Sequence, residues 1–420
     1  MTQLAGRSFI PIGLVARLPL AMLTVGALTL VTSATSSYAL GGAAAGAVGI
    51  GSAIGAPIVG SMADRWGQRP VLLLAAGLNT LAVLALIVGV AFLAGVDGPA
   101  GTVPILAAAF ASGASCPQVG PLARVRWMVL TADRGANPPG PGGTNRDLDT
   151  ALSYESTADE LTFVLGPALV GILASLLAPW LPLALAAVLT LAFVPAFALH
   201  PTVRQVPRRG PAQKSTRGGT STRREASGER SRLMAALVLP VTGMALMGAF
   251  FGGTQASLAS FAAGFGGSEL AGLLYSVMGL SSALTALSVA YWPSTFALRF
   301  RWPACAAAMA GLSLLLLVAA DAGSMVLVLL ALGLPVGPVM VTIFAIGGRL
   351  APLGRLGTVM TALASGLVAG SAAGAATAGF LAQHQGNSAA FLVPIAAALA
   401  LAVTGTLCAL LLQKYRPGKD

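Results

Sequence analysis

Charged side chains are scarce in this 420-residue sequence, in which only 9% of the residues are Asp, Glu, Lys or Arg. A soluble globular domain carries about 25% of such residues. Because 56% of this chain is hydrophobic, it has too few charges to cover a surface that faces water. The composition therefore excludes a soluble protein and assigns the chain to the membrane class.

Cysteine and histidine, the residues of disulfide and metal sites, are nearly absent. Cys116, Cys305 and Cys408 each lie in an apolar run without the spacing of a disulfide or zinc site. His200 and His384 stand alone at the ends of apolar runs, as interfacial loop residues do. Metallopeptidase, serine-hydrolase and nucleotide-binding motifs are also missing. We therefore expect no enzyme, no metal, no cofactor and no use of ATP.

Apolar runs of about 20 residues, the length that crosses a bilayer as a helix, follow one another along the chain. Glycine (52) and proline (26) are frequent within them, as in membrane helices, where small residues allow close packing. Twelve runs are predicted to be membrane spans, numbered in chain order: 9–32, 39–62, 70–94, 101–122, 153–177, 181–199, 233–262, 269–292, 303–320, 324–347, 356–381 and 389–412. The sequence therefore predicts an all-α integral membrane protein.

The basic residues predict the orientation of these spans. All 24 Lys and Arg residues except Arg17 fall on one side of the predicted membrane. Basic residues collect in cytoplasmic loops, so both termini are placed in the cytoplasm. The formal net charge of +11 then reflects topology, and we expect no binding of nucleic acid.

A basic stretch divides the twelve spans into two groups of six. Residues 201–232 are rich in Arg, Gly, Ser and Thr and lack apolar periodicity, which predicts a disordered cytoplasmic linker. The predicted domains are therefore a six-helix bundle over 1–200 and a second one over 233–420. A loop over 127–152 is predicted between spans 4 and 5, and no role is assigned to it.

The loop between spans 2 and 3 reads GSMADRWGQR over residues 60–69. It resembles the signature loop of the major facilitator superfamily (MFS), G-x-x-x-D-R-x-G-R-R/K, with Gln68 at a position that is often Arg. The resemblance implies two pseudo-symmetric six-helix bundles, and an aspartate that latches the outward-open state. The alternative is a solvated turn. The residues that match are Gly60, Asp64, Arg65, Gly67 and Arg69. The second half has only a faint echo over 291–301, without an Asp-Arg pair, so a one-sided latch is expected.

Span 5 reads FVLGPALVG over residues 163–171. It resembles the G-P-x-x-G-G signature of proton-coupled drug exporters of the same superfamily, with Gly166, Pro167 and Gly171 matching. A Gly-Pro pair allows a bend and a close contact in a packed helix, and the resemblance favours efflux. The Arg-x-x-Gln-Gly pattern usual in the fourth span of such exporters is missing, because residues 111–121 hold Gln118 but no Arg.

Arg17 is the only basic residue within a predicted span. It lies about 12 Å into the first helix at about 1.5 Å per residue, where a charge needs a partner. The acids available are Glu155, Asp159 and Glu160 at the start of span 5. Because the MFS resemblance implies that spans 1 and 5 are neighbours, we expect an ion pair between Arg17 and either Asp159 or Glu160.

Ionisable groups inside a membrane are costly and therefore functional candidates. We hypothesise that one of Glu155, Asp159 and Glu160 carries a proton and that Arg17 modulates its ionisation. The alternative is an interfacial role, in which the glutamates are partners of Arg124 and Arg126.

Few polar side chains remain within the spans to line a substrate cavity. The candidates are Gln118, Gln255, Tyr275, Phe250 and Phe251. Aromatic rings tolerate cations, although packing in the core or against lipid is the alternative. So few polar groups favour lipophilic or amphiphilic substrates over sugars.

The leading hypothesis is a secondary transporter that uses the proton gradient to export lipophilic or amphiphilic small molecules. The alternatives are an uptake symporter or facilitator for a small metabolite and, in another class, a non-transporting membrane sensor. The sequences ARLP over 16–19 and DE at 159–160 look like a bacterial branch similar to the drug:proton antiporters. We therefore expect a monomer in the lipid bilayer of a bacterial cytoplasmic (inner) membrane, with a small-molecule substrate.

The orientation can be tested with reporter fusions. Green fluorescent protein fused after Asp420 should fluoresce and alkaline phosphatase fused there should be inactive, because the phosphatase needs disulfides that form only outside the cytoplasm. Fusions at Asp321, in a predicted outer loop, should give the opposite pattern. An active phosphatase at the carboxyl terminus would contradict the predicted topology.

Overall fold

The predicted apolar runs form long α-helices in a computed structural model of the protein. The residues that it describes are 5–96, 98–132, 146–206, 236–264, 269–293, 296–352 and 354–414. Every regular element within these ranges is helical. The α-helices are α1 Phe9–Val15, α2 Leu18–Thr35, α3 Tyr38–Trp66, α4 Gln68–Leu93, α5 Pro99–Ala114, α6 Val119–Ala132, α7 Arg146–Leu176, α8 Leu181–Leu199, α9 Val238–Ala263, α10 Glu269–Ser288, α11 Leu298–Ser313, α12 Ala322–Leu350, α13 Leu356–Gln385 and α14 Asn387–Lys414. Short 3-10 helices cover Pro201–Gln205, Val289–Tyr291 and Leu314–Leu317.

The helices are long and apolar enough to cross a bilayer. Eleven helical segments of the described chain meet both conditions. The helix of the predicted seventh span, α9, has 26 residues but is less apolar because it contains glycines, hydroxyl groups and Gln255. The prediction of an all-α membrane protein with multiple spans is confirmed, whereas the side on which the termini lie stays a prediction.

Two of the predicted spans are broken within the chain. Span 1 consists of α1 and α2, with Ala16 and Arg17 between them, and span 4 consists of α5 and α6, with a break that contains Cys116 and Pro117. A proline follows or lies in each break, and proline cannot donate the backbone hydrogen bond that would continue a helix. At both breaks the regular helix is interrupted, so a side chain there can point into the interior of the first unit.

The chain forms two compact units. The first comprises Met1–Ala132 and Ala158–Arg208, and the second comprises Asp133–Thr157 and Arg209–Asp420. The single helix α7 thus contributes its first residues to the second unit and the remainder to the first. This grouping differs from domains at 1–200 and 233–420, which follow the order of the spans.

Several predicted boundaries differ from those of the helices. Helix α6 continues to Ala132 and helix α7 already begins at Arg146, so the predicted loop over 127–152 is wrong at both ends. The charged residues just before Trp127 and over 146–149 suggested a loop, although they belong to helices. The predicted linker begins with the short helix Pro201–Gln205, and the rest of it falls almost entirely on residues 207–235, which lie outside the described ranges.

The first unit has an apolar core built from spans 1 to 4 and 6. Its buried members include Leu23, Val48, Val83, Ile105 and Leu183. Close helix contacts surround this core. A Cβ atom on Gly51 or Gly55 of α3 would overlap the backbone of α5, so these glycines permit the approach of the two helices.

Helices α9 and α13 of the second unit make a similar close contact. A Cβ atom on Gly370 would overlap the carbonyl oxygen of Ala245, and one on Gly374 would overlap that of Ala249. The two glycines are four residues apart and therefore lie on one face of α13. The backbones of the two helices touch along this face.

Replacement of Gly370 by Ala should destabilise the protein because the added methyl group overlaps the backbone of α9. Overpacking of this kind costs about 1–3 kcal/mol, and we expect the melting temperature in detergent to fall by about 2–6 °C. Gly379→Ala on the same helix is the matched control, because no atom lies within 4 Å of the added Cβ. Equal melting temperatures for the two variants would contradict the close contact.

Candidate functional site

The break in span 1 places Arg17 inside the first unit. Arg17 precedes the first residue of α2, with φ −91° and ψ −25°, and Pro19 lies in the first turn of that helix. Only 3% of the Arg17 side chain is exposed. The guanidinium group is therefore buried at a point where the helix is interrupted.

Asp159 of α7 binds two guanidinium groups at once. Arg17 donates from Nη1 to Oδ1 at 3.1 Å, and Arg124 donates from Nη2 to Oδ2 at 2.8 Å. Each carboxylate oxygen thus serves a different arginine. The expected ion pair of Arg17 with Asp159 is present. Whether Asp159 carries a proton stays a prediction.

Arg124, which was predicted in a cytoplasmic loop and as an alternative partner of the glutamates, contacts Asp159. It lies in α6 and is fully buried, so the statement that Arg17 is the only basic residue within a span is wrong. The helical segment of the fourth span does contain an arginine, but it follows residues 111–121, where the Arg-x-x-Gln-Gly pattern was expected. The apolar run Trp127–Leu130 after it is the sequence feature that predicts a longer helix.

The two glutamates near Asp159 are also buried in α7. Glu155 is 0% and Glu160 is 7% exposed. Whether they lie at the membrane interface stays a prediction. Their part in proton coupling stays a prediction. Within the described ranges no group of three His, Cys, Asp or Glu side chains is arranged to hold a metal ion.

Arg126, two residues after Arg124, is buried without a carboxylate. Its Nε donates to Oε1 of Gln68 at 2.8 Å, and its Nη1 donates to the carbonyl of Phe197 at 2.8 Å and to Oγ1 of Thr202 at 3.1 Å. The guanidinium carbon lies 3.9 Å from the centroid of the Phe197 ring. A pairing of Arg126 with Glu155 is therefore not formed, and neutral acceptors and an aromatic face compensate this charge.

The contacts of the Gln68 side chain explain why glutamine stands where the signature loop often has arginine. Its side chain is buried, accepts from Arg126 and donates from Nε2 to the carbonyl of Leu122 at 3.3 Å. An arginine could not accept a hydrogen bond and would place a second positive charge beside a buried one.

His200 is not the isolated loop residue that the sequence suggested. Its Nε2 lies 3.2 Å from Oγ of Ser8, its Nδ1 lies 3.1 Å from Oγ1 of Thr202, and its ring packs 5.3 Å from that of Phe9. Burial, followed by the nearby charge of Arg126, lowers the pKa of His200. The imidazole is therefore held in its neutral form at neutral pH.

The signature loop is a turn of one residue between α3 and α4. Gly67 has a φ of 93°, a conformation that favours glycine, and its N–H bonds to the carbonyl of Ala63 at 2.9 Å. Asp64 is half-buried, and Arg65 and Arg69 are exposed. Gly60 is buried in α3. The role of these residues as a conformational latch stays a prediction.

The Gly-Pro sequence of span 5 lies in the continuous helix α7. A Cβ atom on Gly166 would lie 2.6 Å from Cβ of Ala21 in α2, whereas one on Gly171 would meet nothing within 4 Å. Pro167 lies inside the helix. The close contact that the motif allows is thus made by Gly166 alone of these two glycines.

The candidate cavity residues lie in different parts of the chain. Gln118, in the first unit, is buried and donates from Nε2 to the carbonyl of Cys116 at 3.0 Å across the break in span 4. In the second unit Gln255 is exposed, Phe250 is buried, and the two other candidates, Phe251 and Tyr275, are half-buried. That these side chains line one cavity stays a prediction.

The second unit contains a buried ion pair that the sequence analysis also missed. Nη1 of Arg301 lies 3.5 Å from Oδ2 of Asp149, and its Nε donates to the carbonyl of Phe296 at 2.6 Å. Both charged residues are buried. Asp149 is a further buried acid of the helix that forms span 5, because α7 begins seven residues earlier than predicted. The stretch 291–301 does have an acidic partner, which α7 supplies.

The bond between Gln68 and Arg126 can be tested by substitution. Gln68→Arg leaves the buried Nε of Arg126 without its acceptor, at a cost of about 1–3 kcal/mol, and should lower the melting temperature in detergent by about 2–6 °C. Gln68→Glu is the control of equal size that keeps the acceptor for Arg126 and loses only the donor to Leu122, so it should melt closer to the wild type than Gln68→Arg does. If Gln68→Arg has the same melting temperature as the wild type, the hydrogen bond between Arg126 and Gln68 does not explain why glutamine replaces arginine in the signature loop.

Comparisons with known proteins agree with this architecture. The sequence matches the family model described as Major Facilitator Superfamily over residues 10–374, and no curated protein matches it. Among solved structures it is similar to the human organic anion transporter MFSD10, with 18% identity, a TM-score of 0.68, and 95% of this chain and 98% of that chain covered. It is also similar to the MFS transporter FucP in the outward conformation, with 16% identity, a TM-score of 0.62, and 96% and 99% covered.

A third similar structure is that of a bacterial homologue of the iron transporter ferroportin in the outward-facing state, with 16% identity, a TM-score of 0.66, and 95% and 99% covered. At these identities the likeness shows the fold alone. The chain, a multi-pass membrane protein, therefore belongs to the major facilitator superfamily.

Proposed function

We propose that the protein is a proton-driven exporter of lipophilic or amphiphilic small molecules that works by alternating access. The observation that carries this proposal is the half-buried carboxylate of Asp159, which is held between Arg17 and Arg124. Charged groups within a membrane are costly and are kept where they serve transport. An aspartate is also the simplest side chain that takes up and releases a proton.

Asp159 connects the helix of span 5 to two other spans. It binds Arg17 from the break in span 1 and Arg124 from α6, so loss of its charge would weaken both contacts. A protein that alternates between two arrangements of these helices would bind the proton in one and release it in the other.

The scarcity of polar groups within the spans supports a lipophilic or amphiphilic substrate, and the resemblance of span 5 to the exporter signature favours efflux. The similar structures belong to proteins named for organic anion and iron transport, so likeness of fold does not select a substrate. Uptake of a small metabolite is the second candidate within transport, and a membrane sensor without flux is the candidate from another class. We place the protein in a bacterial cytoplasmic membrane as a monomer, with both termini in the cytoplasm.

Neutralisation of Asp159 should uncouple transport from protons. In proteoliposomes with an imposed pH gradient, we expect Asp159→Asn to reduce proton-driven flux of a fluorescent amphiphilic dye by at least about 10-fold, because one essential proton site is lost. An internal pH indicator reports proton movement in the same vesicles. A panel of one cationic, one anionic and one neutral dye first finds a transported probe.

Asp321→Asn is the matched control. Asp321 is exposed before α12, where its Oδ1 accepts from the backbone N–H of Ser324 at 3.0 Å, and asparagine keeps such an oxygen. Parallel measurements on Glu155→Gln and Glu160→Gln identify the acid that titrates. Full pH-dependent flux in Asp159→Asn would exclude Asp159 as the proton carrier, and binding of a dye without flux would favour a sensor.

A further inference from the structure

His200 caps the short helix Pro201–Gln205, the last described element of the first unit. Its backbone is extended, with φ −58° and ψ 139°, and its Nδ1 accepts from the backbone N–H of Thr202 at 3.5 Å. Such a cap satisfies an N–H group that has no partner within the helix. The ring is half-buried and packs 5.3 Å from that of Phe9. One side chain therefore holds the start of this helix against the first unit.

The hydrogen bonds around the ring of His200 determine which nitrogen carries its hydrogen. Nη1 of Arg126 donates to Oγ1 of Thr202 at 3.1 Å, and this oxygen lies 3.1 Å from Nδ1 of His200. A guanidinium group and a backbone N–H only donate, so the hydrogen of the Thr202 hydroxyl group points to Nδ1, which accepts from both groups of Thr202. The ring hydrogen then lies on Nε2, 3.2 Å from Oγ of Ser8. The network therefore selects the neutral Nε2–H tautomer.

A second proton, on Nδ1, would conflict with this arrangement in two ways. Nδ1 would become a donor, and the backbone N–H of Thr202, unlike the hydroxyl group, cannot turn away from it. The ring would also become a cation beside Arg126, which is fully buried among neutral acceptors. Because the imidazole is only half-buried, its movement into water relieves both conflicts.

The charged groups near His200 give an imidazolium no compensation. Arg126 acts on the ring by repulsion and, together with burial, lowers the pKa of His200. Helices α1 and α8 carry no charged side chain. The other charged residues of the elements that pack here are basic: Arg7 beside Ser8, Arg69 of α4, Arg124 of α6 and Arg204 of the short helix. None of these groups is a carboxylate that would favour the protonated ring.

We propose that His200 is a pH-sensitive cap, whose protonation releases the helix Pro201–Gln205 from the end of the first unit. An N–H bond forms on Nδ1 with a proton taken from water, and the hydrogen bond from the backbone N–H of Thr202 is lost. The connection between the two sets of six spans is then longer by the five residues of this helix. The predicted topology places His200 in the cytoplasm, so the cap responds to acidification there. This inference does not rest on the proposed proton coupling.

Nuclear magnetic resonance can observe the cap directly, because the chain contains only two histidines. His384, which is exposed at the end of α13, is replaced by glutamine, and the ring nitrogens of isotope-labelled His200 are followed in lipid nanodiscs between about pH 4.5 and 8. We expect the Nε2–H tautomer at high pH and a midpoint below about 6.5, the value of an unperturbed histidine. A hydrogen on Nδ1 at high pH overturns the proposal, because Nδ1 could not then accept from Thr202.

A spin label measures the release of the helix. Gln205 is exposed, and Gln205→Cys carries a nitroxide after the three native cysteines are replaced by alanine. We expect the immobile component of the spectrum to be lost on acidification, with the same midpoint as the ring nitrogens of His200. A spectrum that stays unchanged across that midpoint overturns the proposal.

Two substitutions of His200 separate the cap from other effects of pH. Asparagine is a favoured capping residue and its amide does not titrate, so the label in His200→Asn should stay immobile throughout the titration. Alanine offers no acceptor, so the label in His200→Ala should be mobile at every pH. Release in His200→Asn with the midpoint of the native protein would assign the response to another group. An immobile label in His200→Ala would show that His200 does not hold the helix, and either result overturns the proposal.

Discussion

One carboxylate in a low-dielectric interior is shared by two guanidinium groups, and the helices that supply these groups are interrupted nearby. Taking charges out of water costs several kcal/mol for each ion unless geometry and hydrogen bonds repay it. Asp159 repays part of this cost for Arg17 and Arg124 together, with one oxygen for each. The breaks at residues 16–17 and 115–118 allow three spans to meet at this point, as does the bare backbone at Gly120, where a Cβ atom would lie 3.0 Å from Oδ1 of Asp159. Removal of the carboxylate would leave two buried cations, so the packing of these spans depends on it.

A buried arginine can also be accommodated without an acid, as Arg126 is. Its partners are an amide oxygen, a carbonyl, a hydroxyl group and the face of a phenyl ring. None of them changes charge near neutral pH, whereas the partner of Arg124 is a carboxylate. Two arginines that are two residues apart in the sequence thus have different kinds of partner, and only the partner of Arg124 belongs to the proposed coupling.

The sequence was sufficient for the fold and for half of the site. Apolar runs of membrane length, the basic loops and the GSMADRWGQR loop predicted a helical MFS transporter. The depth of Arg17, together with the MFS resemblance, predicted an acid of span 5 as its partner. Arg124, Arg126, Asp149 and Arg301 escaped prediction for a physical reason: a charge near the end of an apolar run is compatible both with a solvated loop and with a buried pair. Only the position of the partner in space decides between them, as Gln68 and Asp159 do here. Gly120 escaped because a glycine has no side chain whose chemistry could mark it.

Helix α7 crosses from one compact unit to the other without a break in its backbone. Residues 146–157 group with the second unit, although the basic stretch after Thr202, which separates the two sets of six spans, lies far downstream. Recombination at the basic stretch would exchange one set of six spans. The residues that pack together as a unit do not coincide with that set. A chimera joined within that stretch would carry Asp149 into its new molecule but leave Arg301 behind. Halves taken from different transporters of this superfamily would then have to agree at the start of their fifth span before they could work as one protein.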